Sequence, residues 1–304
     1  MCDISIIICT RNRGNILEAS LDIFNNLTFK GSWELILVDN GSTDITYNVI
    51  ESFKERKKID LHVLQESMPG LSRARNTGLS HARGEIIAFT DDDCYPNNDY
   101  LSSLYKAFSN LDIDFLGGRV LLFDPTDLKI TIQENPNPET IEKYSFISSG
   151  FIHGANMAFK KSSLLRMNGF DERLGAGTRF KSGEDTDIIQ RLSISGYVGI
   201  YDPSVCVYHH HRRKSEKEKK LLLNNYCKGR GARYLKYLIF KNTRHMYVRV
   251  WYRQFRSFIR GHDRYYILLE IIAAIEFYML YGPTQSKIWN HPHDHLNIDT
   301  LIYN

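Results

Sequence analysis

The segment AFTDDDCYP, residues 88–96, places three acids side by side directly after an apolar run. Asp91, Asp92 and Asp93 follow residues 86–89, which have the pattern of a buried strand. Neighbouring carboxylates repel, and removing each from water costs several kcal/mol, so we expect a positive charge beside them. Hard oxygen ligands at a strand end suit Mg²⁺ or Mn²⁺. The alternative is that one acid caps a helix near Asn98, but three acids exceed what a cap needs.

The residues around this segment alternate between apolar strands and helical patterns. Helical stretches end near residue 27 and span 71–82, and the strand-like runs are 4–9, 33–38, 61–65 and 86–89. This alternation predicts an α/β fold with a mainly parallel sheet that is covered by helices on both faces. Ligands of such sheets bind beyond the carboxyl ends of the strands. Thr10, Arg11, Asp39 and the three acids all follow strand ends, so we expect them to share one rim.

The pattern is looser after residue 97. We predict a proline-rich loop at 124–142 and a strand at 150–159. A glycine-rich loop that resembles a mobile lid follows at 169–183, and a helix at 183–195. Two strand pieces follow at 197–201 and 205–208. Residues 214–282 have a helical pattern, with breaks predicted near 229–231 and near 261.

Composition and cysteine usage fit an ordinary globular protein. The 304 residues are 42% hydrophobic and 24% charged, and the five cysteines contain no C-x-x-C pair. This disfavours a disulfide framework and a zinc ribbon, and suits a reducing compartment. No basic segment precedes the first strand, so we expect no signal peptide and a cytoplasmic location.

Charge is distributed very unevenly along the chain. Residues 1–211 carry a net charge of −7, residues 212–264 carry +14, and residues 265–304 carry −3. Arginines and lysines alternate with aromatic residues in the basic segment. Three uses fit it: contact with an anionic membrane surface, packing of its aromatics, or binding of nucleic acid. The membrane, at the inner face of the plasma membrane, is favoured over packing, and nucleic acid is not expected.

The apolar stretch at 265–281 is long enough to raise the question of a membrane span. Glu270 and Glu276 interrupt it, and they lie on different helix faces. A central acid costs about 3 kcal/mol on insertion scales, which offsets the gain from the apolar residues. We therefore predict a buried or interfacial helix.

Taken together, the motifs resemble those of family 2 glycosyltransferases. They occur in the order CTRNR, LVDNGSTD, GLSRARNTGL, TDDDC, GANMAF and GFDERLGAGTRFKSGEDTDIIQRL. The resemblance covers roughly residues 1–212 and implies the Rossmann-like GT-A fold, with inverting sugar transfer from a nucleotide-sugar donor. Residues 213–304 would then be a basic, aromatic-rich helical extension.

The resemblance implies roles for the residues at the rim. Thr10 and Arg11 would line the nucleotide pocket, and Asp39 would bind the nucleobase. Asp91, near the ribose, and Asp92 would also contact the nucleotide. On the predicted helix 71–82, Arg73 and Arg75 have two interpretations, a solvated helix face or contact with the diphosphate.

The same resemblance implies a metal site. Asp93, with help from Asp92, would hold Mn²⁺ or Mg²⁺ against the donor diphosphate. His209, in the run of histidines at 209–211, is favoured over His211 as a residue near the metal, although a polar strand end would look the same.

The acids of SGEDTD, residues 182–187, begin a predicted helix. Helical spacing puts Asp185 on the face of Ile188 and Leu192, and Asp187 on a more polar side. Inverting transfer needs a base near the acceptor hydroxyl. The resemblance assigns that role to Asp185, and Glu184 would contact the acceptor or fix the lid.

These observations predict a metal-dependent glycosyltransferase. The donor is expected to be a UDP-sugar, and the acceptor a glycan or a lipid-linked saccharide. The alternative is a non-catalytic nucleotide-binding protein that docks on membrane or nucleic acid through residues 212–264. The intact acidic clusters disfavour the alternative.

Overall fold

A computed structural model describes residues 2–261 and 263–282, with residues 241 and 242 described by their backbone only. The described chain falls into two compact units that divide between Leu221 and Leu222. The predicted boundary between residues 212 and 213 stays a prediction, because a compact unit is not by itself an independently folding domain. Residues 283–304 of the predicted extension lie outside the described residues.

The first unit is built on one sheet. Its strands are β1 (Ile4–Thr10), β2 (Trp33–Asp39), β3 (Leu61–Gln65), β4 (Ile86–Asp91), β5 (Cys94–Pro96), β6 (Phe115–Leu122), β7 (Glu139–Ile141), β8 (Asn156–Lys160) and β9 (Gly199–His209). Their order is β3-β2-β1-β4-β8-β6-β9-β5, and β7 pairs with β9. Strands β1 to β4 are parallel, as predicted. Beyond β4 the sheet is mixed, since β8 runs antiparallel to both β4 and β6.

Helices cover the sheet because their apolar residues recur at helical spacing. In the first unit they are α1 (Gly14–Phe24), α2 (Thr46–Arg56), α3 (Leu71–His81), α4 (Tyr100–Asn110), α5 (Lys161–Arg166) and α6 (Glu184–Ile194). Helix α1 buries Leu17, Leu21 and Phe24 at spacings of four and three residues. Strand β1 is buried on both faces, which explains its uninterrupted apolar run.

The register of the parallel strands creates the predicted rim. Thr10 pairs with Asp39 across β1 and β2, and Cys9 pairs with Asp91 across β1 and β4. The carboxyl ends of three strands therefore lie at one edge. Strand β9 also contributes, although it was predicted as two pieces. The predicted gap corresponds to a register shift, in which Gly118 pairs with Asp202 and Arg119 with Cys206.

The second unit consists of helices. Helix α7 (Glu216–Ile239) crosses the division between the units, and α8 (Lys241–Ile259) and α9 (Arg264–Tyr281) follow. The predicted break near 261 is confirmed, but the break near 229–231 is wrong, because α7 runs through it. A β-carbon on Gly231 would lie 2.1 Å from the carbonyl oxygen of Glu270. This glycine thus permits close approach of α7 and α9 rather than a turn.

Glu270 is buried, and its carboxylate is paired with the guanidinium of Arg230. This pairing explains how an acid is tolerated in the apolar stretch. Among the helices that the structure describes, none combines the length and apolarity that a membrane span requires.

Candidate active site

The positive charge expected beside the three acids is supplied by Arg13. Its Nε donates to Asp92 Oδ1 at 3.2 Å, and another guanidinium nitrogen contacts Asp93. Thr10 donates its hydroxyl to Asp92 Oδ2 at 2.7 Å. The acids do not cap α4, since the N-cap position of this helix is held by Asp99. The helix-cap interpretation is therefore wrong.

The three carboxylates have different environments. Burial, against the opposing charge of Arg13, raises the pKa of Asp92 to about 6. Burial also acts to raise the pKa of Asp93, but His209 and Arg13 outweigh it and lower that pKa to about 2. Asp93 is thus held ionised at neutral pH.

A set of possible metal ligands converges at the ends of β4 and β9. One ligand atom each from Asp91, Asp93, Cys94 and His209 lies within 4.8 Å of the others. Burial raises the pKa of Cys94 well above its usual value, so this core thiol stays protonated and is a poor ligand for a hard cation. The remaining two carboxylates and one imidazole fit Mn²⁺ well and Mg²⁺ less well.

This set includes Asp93 and His209, which were predicted as metal ligands, but not Asp92. Asp93 Oδ1 lies 3.2 Å from His209 Nε2. His209 Nδ1 lies 3.4 Å from the carbonyl oxygen of Thr131, which fixes the ring with Nε2 toward the acids. Asp92 is turned away toward Thr10 and Arg13, so its place in the set is taken by Asp91.

Helix α6 brings two further acids to the same rim. Asp185 is partly exposed, and its Oδ2 accepts a hydrogen bond from the N–H of Gly154 at 3.1 Å. Glu184 is buried, and its Oε1 accepts from Arg75 at 3.0 Å. Burial and the charge of Asp185 raise the pKa of Glu184 to about 7, while Arg75 acts to lower it.

The prediction of which α6 acid lies on the buried side is wrong. Asp187 is fully buried and pairs with Arg191 at 2.9 Å, whereas Asp185 keeps partial exposure. The helical-spacing argument assumes one buried face, but Thr186 and Gln190 are buried as well. The helix is covered almost all round, and its first turn alone reaches the rim.

The remaining predicted residues fall in different places. Asp39 is buried at the rim, and its Oδ1 accepts from the N–H of Ser42 at 3.0 Å. Arg75 is buried and also approaches Asp91 at 3.6 Å, so it is not on a solvated face.

Two predicted arginines lie apart from these acids. Arg73 pairs with Glu172 at 2.6 Å, and Arg11 is exposed. In the loop after β1, the arginine that contacts Asp92 and Asp93 is Arg13 rather than Arg11.

His153 is a residue that the sequence analysis missed. It lies on the approach to β8, and burial lowers its pKa, although the charge of Asp185 acts in the opposite sense. The charges of Asp185 and His209 both influence its pKa, so it lies near the rim. A lone histidine among glycines gave no signal for this position.

Comparison with known proteins agrees with the fold. A sequence model of the family "Glycosyl transferase family 2" matches residues 5–167, more than half of the chain. The chain belongs to this family. The glycosyltransferase GlyA of Streptococcus pneumoniae is 33% identical over 124 residues, which are 41% of this chain and 18% of that protein. The chain thus matches only a small part of that relative's length.

Solved structures of glycosyltransferases share the GT-A architecture. The mannosyltransferase PcManGT from Pyrobaculum calidifontis, solved with GDP-Man and Mn²⁺, superimposes with a TM-score of 0.61 at 19% identity. That match covers 92% of this chain and 75% of the other. TarS of S. aureus with UDP-GlcNAc gives a TM-score of 0.58 at 20% identity, over 78% of this chain and 66% of that one. At these identities the likeness shows the fold, and it confirms the predicted α/β class.

Proposed function

We propose that this family 2 protein transfers a sugar from a nucleotide-sugar donor to an acceptor hydroxyl, with inversion. The observation that carries this is the rim itself, where Asp91, Asp93 and His209 converge and Asp185 lies on the adjacent helix. A nucleotide-binding protein without catalysis has no need for the second acidic element.

The donor is proposed to bind along the ends of β1, β2 and β4. Asp39 would accept hydrogen bonds from the nucleobase, and Thr10 lies between it and the acids. A UDP-sugar is our first choice. GDP-Man in PcManGT and UDP-GlcNAc in TarS support a nucleoside diphosphate sugar as the donor class.

The metal is proposed to be Mn²⁺ or Mg²⁺, held by Asp91, Asp93 and His209. When bound, the ion neutralises charge on the leaving diphosphate. The chain prepares the site in two ways. Arg13 offsets the repulsion between Asp92 and Asp93, and the contact of His209 with Thr131 fixes the ring that faces Asp93.

Asp185 is proposed as the general base. Its carboxylate takes the proton of the acceptor hydroxyl while that oxygen bonds to the anomeric carbon. The bond from this carbon to the diphosphate breaks at the same time, and its electron pair leaves with the nucleoside diphosphate. Glu184, buried against Arg75, holds the start of α6 in place.

A thermal-shift screen tests the donor site. UDP, GDP, dTDP and CDP are each added with and without Mn²⁺. A ligand at 100 times its dissociation constant contributes about 2.7 kcal/mol to the stability of the folded state, which is readily measured. We expect a metal-dependent shift with one nucleotide, and its loss in Asp93→Asn. No shift with any nucleotide would refute the proposal, and binding without turnover would favour the non-catalytic alternative.

We further propose that the second unit contacts an anionic lipid surface, as suits a lipid-linked acceptor. Helix α8 exposes a stripe of apolar side chains at spacings of four, three and four residues, namely Val248, Tyr252, Phe255 and Ile259. Exposed arginines flank the stripe at 244, 249, 253, 256 and 260. An apolar stripe with a basic border is typical of helices that lie in a membrane interface. This would place a cytoplasmic protein at the inner face of the plasma membrane.

Vesicle sedimentation tests the lipid contact. We expect binding to vesicles that contain phosphatidylglycerol, weaker binding to neutral phosphatidylcholine vesicles, and loss of binding in Phe255→Glu. Tyr47→Glu is the matched control, because Tyr47 is 53% exposed in the first unit and Phe255 is 58% exposed. Equal binding by both variants, or preferential binding to single-stranded nucleic acid, would contradict the proposal.

A further inference from the structure

A second acidic cluster lies on the other side of the end of β9. Strand alternation turns His210 away from His209 and toward the turn that follows β6. One ligand atom each of Asp124, Asp127 and His210 lies within 4.8 Å of the other two. His210 Nε2 is 3.9 Å from Asp124 Oδ2. None of these residues has a role in the proposed sugar transfer.

One carboxylate oxygen of Asp127 lacks a hydrogen-bond donor among the described residues. Its side chain is fully buried, and Oδ2 accepts a hydrogen bond from the N–H of Arg212 at 2.9 Å. Its other oxygen, Oδ1, is buried and accepts no hydrogen bond among the described residues. A buried carboxylate oxygen without a donor is costly, and such an atom in a native structure calls for an explanation, of which a bound ion is one.

The position of Lys214 shows where that oxygen points. Lys214 Nζ is 3.1 Å from Asp124 Oδ2 and 3.9 Å from Asp127 Oδ1. Asp124 Oδ2 and Asp127 Oδ1 therefore face the same point, and the ammonium group of Lys214 lies there. The ammonium donates to Asp124 and to Thr126 Oγ1 at 2.6 Å, and it is too far from Asp127 Oδ1 for a hydrogen bond. Its side chain is 54% exposed, so it is free to leave.

We propose that Asp124, Asp127 and His210 bind a second divalent cation, which displaces the ammonium of Lys214. Two carboxylates and an imidazole are the ligands that Mn²⁺ accepts, and a divalent ion would bond the oxygen that Lys214 does not reach. The ion would be structural. It would fix the loop from Asp124 to Thr131, which also approaches His209 Nδ1.

Titration with Mn²⁺ alone, followed by electron paramagnetic resonance of the free ion, tests this site without donor or turnover. We expect two ions per wild-type chain, one in Asp127→Asn and one in Asp93→Asn. Lys214→Met should still bind two, the second roughly fivefold more tightly, because an exposed ion pair that competes is worth up to about 1 kcal/mol.

The outcomes separate a metal site from a simple ion pair. Circular dichroism first confirms that each variant is folded. If Asp127→Asn does not fold, Lys214→Met still decides, because a single ion in both the wild type and Lys214→Met would overturn the proposal. The wild type could also bind a single ion that Asp93→Asn loses and Asp127→Asn keeps. That outcome would overturn the proposal as well, because the ion pair with Lys214 would then fully explain the second cluster.

Discussion

Replacing Asp185 by Asn separates its proposed chemistry from its structural contacts. The carboxylate accepts three hydrogen bonds: one from Gly154 N–H at 3.1 Å, one from Thr186 N–H at 2.6 Å, and one from the Thr186 hydroxyl at 3.2 Å. An amide of the same shape has only one oxygen, so its NH₂ group must face one of the two backbone donors. We expect a stability loss of about 1–2 kcal/mol, the value of a lost hydrogen bond at a partly exposed site.

The expected loss of activity is much larger. General-base catalysis contributes roughly 10²- to 10⁴-fold, which is about 3–5 kcal/mol of barrier. Asp187→Asn is the matched control, two positions along the same helix. It should leave the buried guanidinium of Arg191 without its carboxylate and cost about 3–5 kcal/mol of stability. Its effect on turnover by the molecules that remain folded should be small.

Two measurements on each variant decide the assignment. Urea unfolding gives the free energy of unfolding, and release of nucleoside diphosphate from the donor that the thermal-shift screen selects gives turnover. We expect a large turnover loss with modest destabilisation for Asp185→Asn, and the reverse for Asp187→Asn. Turnover of Asp185→Asn within tenfold of wild type, about 1.4 kcal/mol, would refute the role of Asp185.

Three further predictions concern stability. The pKa of Glu184 is raised to about 7 in the folded state, so its protonated form favours folding at low pH, and this contribution is lost as pH rises through 7. In urea unfolding from pH 5 to 8, the stability of the wild type should fall by up to about 3 kcal/mol more than that of Glu184→Gln; equal slopes would contradict this. Arg13→Ala should cost about 2 kcal/mol more than Arg11→Ala, because only Arg13 contacts the acids; equal urea midpoints would argue otherwise. Gly231→Ala should lower Tm by several degrees, since its methyl group meets the Glu270 backbone; an unchanged Tm would show that the helices move apart freely.

The strands and the rim could be predicted because they depend on local pattern. Apolar runs set β1, β2 and β4, and parallel pairing must bring their carboxyl ends together. The choice between Arg11 and Arg13 depends on the loop instead. Asn12 has a left-handed backbone, with φ of 54°, which interrupts the extended conformation after β1. Alternation along the strand does not continue through such a residue, so Arg13 turns to the acids.

Other differences arise from packing that the sequence does not reveal. The glycines near position 231 are typical of a helix break. Gly231 is required instead by the close approach of the Glu270 backbone, 39 residues later in the chain. The buried side of α6 could not be inferred from spacing, because neighbouring segments cover nearly the whole helix. His153 reaches the rim only because β8 pairs antiparallel with β4.

The place of β9 in the sheet has a consequence for how the protein acquires its site. This last strand is inserted between β6 and β5, and it alone supplies His209. During synthesis, the acids after β4 are made more than a hundred residues before that histidine. Pairings over such sequence separations form late, since the loop must close before the contact is gained. A chain that ends before β9 should therefore hold Arg13 against the acids without binding the proposed metal, and affinity for that metal would report completion of the sheet.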